Sequence, residues 1–294
     1  MTKTRPLPPS LRLNSPAKIN LFLNVLFKRK DGYHEIDTLF ERIGLFDELT
    51  LIPSRSGIKI ITRSKNLPRG SGNICYRAAK LLKDRFKIKN GVLIKIKKRI
   101  PIAAGLGGGS SNGASVLLGL NRLWKLGLSK EELLRAGTEL GSDVPFFILE
   151  TPFASGRGRG EILRKIRQPG KKIWHCLVKP PFSISTKAAY KRLKTSSLTP
   201  KKADARMLLH SIHKGYLKSL SKLLTNSLED ALDKRVMAIL KIKKELMRRG
   251  ALASLVSGSG PTVFGIFSSQ DTARRAARAL RKNRRWQVFV ASTL

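Results

Sequence analysis

The chain has 294 residues, of which 41% are hydrophobic, enough for a substantial core and for two domains or lobes. Lys and Arg number 59 against 19 Asp and Glu, a formal net charge of +40. Such a charge favours nucleic acid, an anionic membrane surface or small polyanionic substrates, without choosing among them. Cys75 and Cys176 are too few for a disulfide framework and stand in no metal-ligand spacing. The N-terminus has no apolar signal-peptide core, and no run approaches the roughly 20 apolar residues of a membrane span. The sequence thus predicts a cytoplasmic protein.

Residues 1–11, rich in Pro and basic side chains, read as a loose tail. In SPAKINLFLNV, Ala17, Ile19, Leu21, Leu23 and Val25 alternate with Lys18, Asn20, Phe22 and Asn24. This predicts a strand with one core face and one partly polar face, on which Lys18 and Asn20 point the same way. Asp31 and Gly32 mark a tight turn, with Tyr33 and His34 just past it and a returning strand over Leu45 to Ile52. A loop aromatic beside an imidazole is usually a surface feature, but it can also stack on and hydrogen-bond a base. A helix follows from Asn73 to Phe86, capped by Asn73 or Ser71.

The stretch from Arg99 to Leu123, RIPIAAGLGGGSSNGASVLLGLNRL, organises the chain. A strand over Val92 to Ile96, stopped by Pro101, leads into Gly105, Gly107, Gly108 and Gly109, then Ser110 and Ser111. Beyond them Ala114, Leu117, Leu118, Leu120, Leu123 and Trp124 recur at three- and four-residue steps, which predicts one apolar helical face. A glycine-rich turn feeding a helix N-terminus is a place to hold phosphate, because free N–H groups and the positive end of the helix dipole meet there. The sequence is neither a P-loop nor a dinucleotide fingerprint.

Ser129 and Glu132 predict a capping box for a helix ending at Gly141, after which Ser142 or Asp143 can cap a short helix containing Val144, Pro145, Phe146 and Phe147. An acidic residue there is most often only a cap, but beside phosphate it can serve as a base. ASGRGRGEIL reads as a hairpin turn, and Ile173 to Val178 as a buried strand. A Pro turn and a helix entered through Ser185 or Thr186 come next, with a lobe boundary over residues 165–185. One long amphipathic helix is predicted over residues 224–250, followed by two short strands about Gly258 to Gly260, an Arg-rich helix and a last strand, Trp286 to Val290. In that Arg-rich run Arg274, Arg275, Arg278, Arg281, Lys282 and Arg285 lie opposite Ala273, Ala276, Ala277 and Leu280. It reads as a solvated amphipathic face, with a nucleic-acid or lipid patch as the alternative.

PAKIN, PIAAGLGGGSS and SGSGPTVFGIF, in this order, resemble the signature motifs of the GHMP small-molecule kinases. DGYH, GSDVPFF, GRGEIL and PFSISTKAAY narrow the resemblance, over Ser15 to Phe267, to the branch whose acceptor is a cytidine diphosphate derivative of methylerythritol. The resemblance implies an α+β fold of two lobes with the active cleft between them. An N-terminal lobe over residues 12–175 would carry the glycine-rich turn, and an α/β-plait-like lobe would occupy residues 176–294. It implies ATP-dependent phosphorylation of the acceptor's 2-hydroxyl in the non-mevalonate isoprenoid route.

By the same resemblance Gly105, Leu106, Gly107, Gly108, Gly109, Ser110 and Ser111 cradle the ATP phosphates, and Asn73 and Lys98 match positions near the adenine. Asp143 and Lys18 take the catalytic positions, Asn20 and Thr186 contact substrate, and Tyr33, His34 and Tyr190 match the cytosine-binding positions, two tyrosines sandwiching the ring. Mg²⁺ is expected with ATP, without a ligand set readable from the sequence. No membrane is expected as a partner. Nor is nucleic acid, because the basic residues spread through the whole chain and no recognised nucleic-acid module occurs.

Overall fold

The computed structural model describes residues 9–167, 170, 172–193, 205–214, 222–232 and 235–294. Residues 1–8 of the expected tail lie outside the described residues. The chain forms two compact units: Met1–Pro16, Phe46–Ile100 and Gly108–Glu150 make the first, and Ala17–Leu45, Pro101–Gly107 and Thr151–Leu294 the second. These units interleave in sequence, so they are a different kind of division from the boundary expected along the chain near residue 175. Two long strands, β1 (Leu11–Lys28) and β2 (His34–Ser54), pair with each other, and each contributes residues to both units.

In the first unit, residues Glu48–Ser54 of β2 pair antiparallel with β4 (Gly91–Lys97), and β3 (Ile58–Thr62) joins β4 in parallel. Helix α1 (Ile74–Arg85) is capped by Asn73, whose Oδ1 accepts from the Cys75 N–H at 2.9 Å, so the Asn73 alternative was the correct cap. Helix α2 (Gly108–Leu123) packs against α1, α3 (Lys130–Leu140) and α4 (Val144–Leu149). Its burial departs from the single apolar face read in the sequence, because Ser111, Asn112, Gly113, Ser115 and Gly119 are buried along with Ala114, Leu117 and Leu120. The small residues are the reason. A Cβ on Gly113 would lie 3.0 Å from the Ile74 side chain, and one on Gly119 2.5 Å from Leu51. The predicted capping box at Ser129 and Glu132 is formed.

Asp47 locks β4 to the turn that follows. It is completely buried, its Oδ1 accepts from the N–H groups of Arg99 at 2.7 Å and Ile100 at 2.9 Å, and its Oδ2 takes the Lys98 ammonium in an ion pair. A buried carboxylate is tolerable when its charge is paired and its lone pairs are filled, and all three donors come from consecutive residues.

In the second unit, residues Thr38–Glu41 of β2 pair with β5 (Phe153–Arg157), and β5 with β6 (Ile162–Ile166), around the predicted Gly158–Gly160 turn. A four-stranded antiparallel sheet runs β10 (Gln287–Ser292), β7 (Trp174–Lys179), β9 (Val263–Phe267), β8 (Ala253–Val256). Helices α5 (Thr186–Arg192), capped by Ser185, and α6 (Ala205–Lys214) precede α7 (Val236–Arg248) and α8 (Gln270–Leu280). The apolar sides of α7 and α8, from Ile239 to Leu246 and from Ala273 to Leu280, close one core with Cys176, Val178 and Val263.

The polar face of β1, which the sequence left undecided between solvent and interior, is buried: Lys18, Asn20 and Asn24 are 5%, 1% and 3% exposed. One expectation is corrected. The long helix over 224–250 is broken into a 3₁₀ turn, Ser227–Glu229, and α7, while residues 233–234 lie outside the described ones. Asn226 causes the break. Its side chain accepts from Leu228 N–H and donates to the carbonyls of Val256 and Gly258, the local competition by which Asn disfavours helix interiors.

Asp47→Asn should cost about 3 kcal/mol, because it leaves the Lys98 ammonium without its buried counter-charge; urea unfolding would measure the loss. A Cβ on Gly91 would sit 2.2 Å from backbone atoms of Ser56 and Gly57. Gly91→Ala should therefore lower stability by about 3 kcal/mol, whereas Gly70→Ala, which meets nothing within 4 Å, should stay within about 0.5 kcal/mol in the same assay.

Candidate active site

The first unit carries Asn73, Lys98, Gly108 to Ser111 and Asp143, and the second carries Lys18, Asn20, Tyr33, His34, Gly105 to Gly107, Thr186 and Tyr190. The glycine-rich turn is thus where the chain passes from one to the other. Gly105 and Gly107 have φ of +76° and +65°, a conformation that favours glycine. Gly109, exposed in the first turn of α2, would point a Cβ at nothing within 4 Å. Open space in front of a 16-residue helix N-terminus is what an incoming phosphate requires.

The serines differ. Ser110 is partly exposed, whereas Ser111 is completely buried and its hydroxyl accepts from Ser15 at 2.8 Å. Lys98, held by Asp47, sits with its Nζ 3.2 Å from where a Gly108 Cβ would be. Its ammonium therefore lies at the start of α2. Asn73 spends both ends of its amide on structure, capping α1 and donating to the Pro68 carbonyl at 2.6 Å.

Asp143 precedes Val144 and Pro145 at the N-terminus of α4, but its side chain makes no capping hydrogen bond. The cap role, the plainer reading of this residue, is not what the structure shows. The turn is closed instead by the backbone, Val144 N–H donating to the Gly141 carbonyl at 3.1 Å.

In the second unit, Lys18, Asn20 and two glycine turns converge. Lys18 donates to Asn20 Oδ1 at 2.7 Å and its ammonium lies over the Phe40 ring, 5.2 Å from the centroid. Asn20 Nδ2 donates to Thr38 Oγ1 at 2.8 Å, and Thr38 donates to the Phe22 carbonyl at 2.6 Å. The Lys18 N–H donates to Leu106 O at 3.0 Å, and the Ser257 hydroxyl to Gly105 O at 2.8 Å. A Cβ on Gly258 would fall 3.3 Å from Asn20 Oδ1 and 3.6 Å from Lys18 Nζ, so the second glycine turn presses directly on this pair. Thr186 Oγ1 and Ser259 Oγ are 2.9 Å apart, tying the start of α5 to the same turn.

The aromatic residues form two separate pairs. His34 stacks on Tyr190, ring centroids 5.2 Å apart and planes 29° from parallel, while Tyr33 lies exposed beneath the Arg159 guanidinium at 4.8 Å. Partial burial, and then the charge of Lys28, hold the His34 pKa below its usual value, which favours neutral imidazole. Sequence reading missed Asp47, Thr38, Ser257 and Asn226 as supports of this site. Their signal was weak, because the partners that give each its role lie far away in the chain or, for Thr38, on the neighbouring strand. Cys75 and Cys176 are buried free thiols whose pKa burial pushes up to about 12, unfit for nucleophilic chemistry.

Residues 73–151 match the model of the GHMP kinases N-terminal domain and residues 208–285 that of the GHMP kinases C-terminal domain. A 4-diphosphocytidyl-2-C-methyl-D-erythritol kinase of Acetivibrio thermocellus is 43% identical over 286 residues, covering 97% of this chain and 99% of its own. A crystal structure of 4-(cytidine 5'-diphospho)-2C-methyl-D-erythritol kinase superposes with a TM-score of 0.84 at 33% identity, over 96% of this chain and 98% of that one. Homoserine kinase from Cytophaga hutchinsonii, with a TM-score of 0.77 at 19% identity over 100% of this chain and 97% of its own, shares the fold. The chain is a GHMP kinase, and within that superfamily it belongs to the 4-diphosphocytidyl-2-C-methyl-D-erythritol kinase family.

Proposed function

We propose that this kinase transfers the γ-phosphoryl group of ATP to the 2-hydroxyl of 4-diphosphocytidyl-2-C-methyl-D-erythritol, in the cytoplasm, as a step of the non-mevalonate route to isoprenoid precursors. The observation that carries the reading is the 43% identity, over nearly the whole of both chains, to a relative bearing that name. The site supports it at each end. Phosphoryl transfer is mostly positioning and charge neutralisation. Gly105, Leu106, Gly107, Gly108, Gly109 and Ser110 receive the phosphates against the α2 N-terminus, and Ser111 supports that turn through Ser15.

Lys98, fixed by Asp47, adds positive charge at the same helix start. Lys18, oriented by Asn20 and Phe40, steadies charge on the transferred group. Asp143 accepts the proton of the acceptor hydroxyl. Asn20 and Thr186 contact the acceptor, and Asn73 shapes the loop toward the adenine. His34 and Tyr190 offer an aromatic platform and an imidazole for a cytosine, with Tyr33 beside Arg159 as the second ring. Mg²⁺ enters on the phosphates; among the described residues no group of three or more His, Cys, Asp or Glu is placed to hold a metal by itself.

An ADP-release assay with the cytidyl diphosphate acceptor, mevalonate and homoserine tests the reading: turnover on the first alone is expected, and activity only on the others overturns it. Asp143→Asn should lower turnover roughly 10²- to 10⁴-fold with folding intact; near-normal turnover would remove Asp143 from the chemistry. Tyr190→Ala removes a stack worth about 1 to 3 kcal/mol, so the acceptor KM should rise at least about five-fold while the KM for ATP holds. Equal shifts in both would count against the platform.

A further inference from the structure

The phosphoryl-transfer site leaves the basic surface of α8 unused. Arg274, Arg275 and Arg278 are exposed on one side of the helix, and Arg281, Lys282, Arg284 and Arg285 continue the exposed basic surface through the following turn. Opposite them Ala273, Ala276, Ala277 and Leu280 are buried in the core of the four-stranded sheet. The helix is firmly held: Ser269 and Thr272 form a capping box, and Arg281 donates to the Val288 carbonyl of β10 at 3.1 Å. Its cationic face is therefore a fixed array, with successive charges along the helix about 6 Å apart at one-turn spacing.

Some cations on other helices are paired within the protein. On α1, Lys80 pairs with Asp84 and Arg85 with Glu139; on α7, Lys243 pairs with Glu229, and Arg248 and Arg249 with Glu245. Among the described residues no acidic side chain pairs with Arg274, Arg275 or Arg278, and Asp271 is the only acidic residue from Gln270 to Arg285. Concentrated like charge costs stability through self-repulsion, and Arg274 to Arg285 places seven cations in twelve residues with no acidic residue among them.

Against the sequence expectation that nucleic acid is no partner, and because the exposed arginines of this one helix are concentrated rather than spread, we propose that the α8 face binds the phosphodiester backbone of nucleic acid, without base specificity. Two observations favour this partner over a lipid surface. The patch is six arginines to one lysine over Arg274 to Arg285, and the guanidinium fork matches phosphate oxygens bidentately. In addition, every apolar residue of α8 from Ala273 to Leu280 except the partly exposed Ala279 faces the core, leaving nothing to insert among acyl chains as an interfacial helix must. The binding is a second property of the chain, independent of the kinase reading.

The test is fluorescence anisotropy of the whole protein with a labelled single-stranded RNA and a labelled DNA duplex, titrated from 50 to 300 mM salt, roughly the range over which counterion release is legible. Arg274→Gln, Arg275→Gln and Arg278→Gln together should flatten the slope of log K against log salt by about 2 to 3. A control with the same charge change, Lys89→Gln, Lys241→Gln and Lys244→Gln, should move it by less than about 1. Both variants should keep wild-type melting curves and ADP release, since none of these residues belongs to the phosphoryl-transfer site. A preference for RNA or for duplex names the polymer and supports the proposal either way. Three results overturn it: no binding at the lowest salt, equal loss of slope in both variants, or tighter arginine-dependent adsorption to phosphatidylserine vesicles than to either nucleic acid.

Discussion

The second unit depends on the contact between two glycine turns. A Cβ on Gly105 would sit 2.1 Å from the Ser257 carbonyl oxygen, closer than any side chain allows, so the first turn rests on the second only because Gly105 has none. The contact is then bonded from both sides. The Ser257 hydroxyl donates to Gly105 O, and the N–H of Thr262 to Ala104 O at 3.3 Å. Asn226 fixes the second turn in its place through the Val256 and Gly258 carbonyls. Residues more than a hundred positions apart in the chain are therefore registered to within a hydrogen bond, and Lys18 inherits that precision through its backbone bond to Leu106.

The first unit solves a related problem by electrostatics. A phosphate-receiving helix end needs positive charge nearby, yet a lysine on a flexible stem loses rotamer entropy when it is held there. Asp47 offsets that loss by gathering Lys98 and the next two backbone N–H groups on one buried carboxylate. The strand, the turn and the ammonium are ordered together as the protein folds, rather than when nucleotide arrives. Preorganised charge of this kind stabilises developing charge without a reorganisation cost at the moment of reaction.

Much of this was legible in the sequence. The glycine run, the capping box at Ser129, the Asn73 cap and the hairpin about Gly158 are local signals whose physics is complete within a few residues, and each appears where it was read. What was not legible depends on distant partners. Alternation in SPAKINLFLNV marked Lys18 and Asn20 as sharing a face, but could not say that the face would be buried, because the covering residues come from other parts of the chain. Helical periodicity carried straight through Asn226, since its partners at Val256 and Gly258 lie some thirty residues away. Asp143 looked like a cap because the pattern fits one; only the geometry shows that the helix is closed without its carboxylate.

The hydrogen-bond chain from Lys18 runs in one direction, fixed at both of its ends. A threonine hydroxyl has one proton to give, and Thr38 gives it to the Phe22 carbonyl, which can only accept. Thr38 must then accept from Asn20, so the Asn20 amide presents its NH₂ to Thr38 and its oxygen to the Lys18 ammonium. The orientation of Asn20 is thus set from both ends, by an ammonium that can only donate and by a carbonyl that can only accept. An aspartate at position 20 would have no proton for Thr38, and a valine at position 38 would leave the buried Asn20 NH₂ without its acceptor. The holding of Asn20 against the Lys18 ammonium therefore resides in Thr38 as well, which bonds to neither the lysine nor the glycine turns in this chain of bonds.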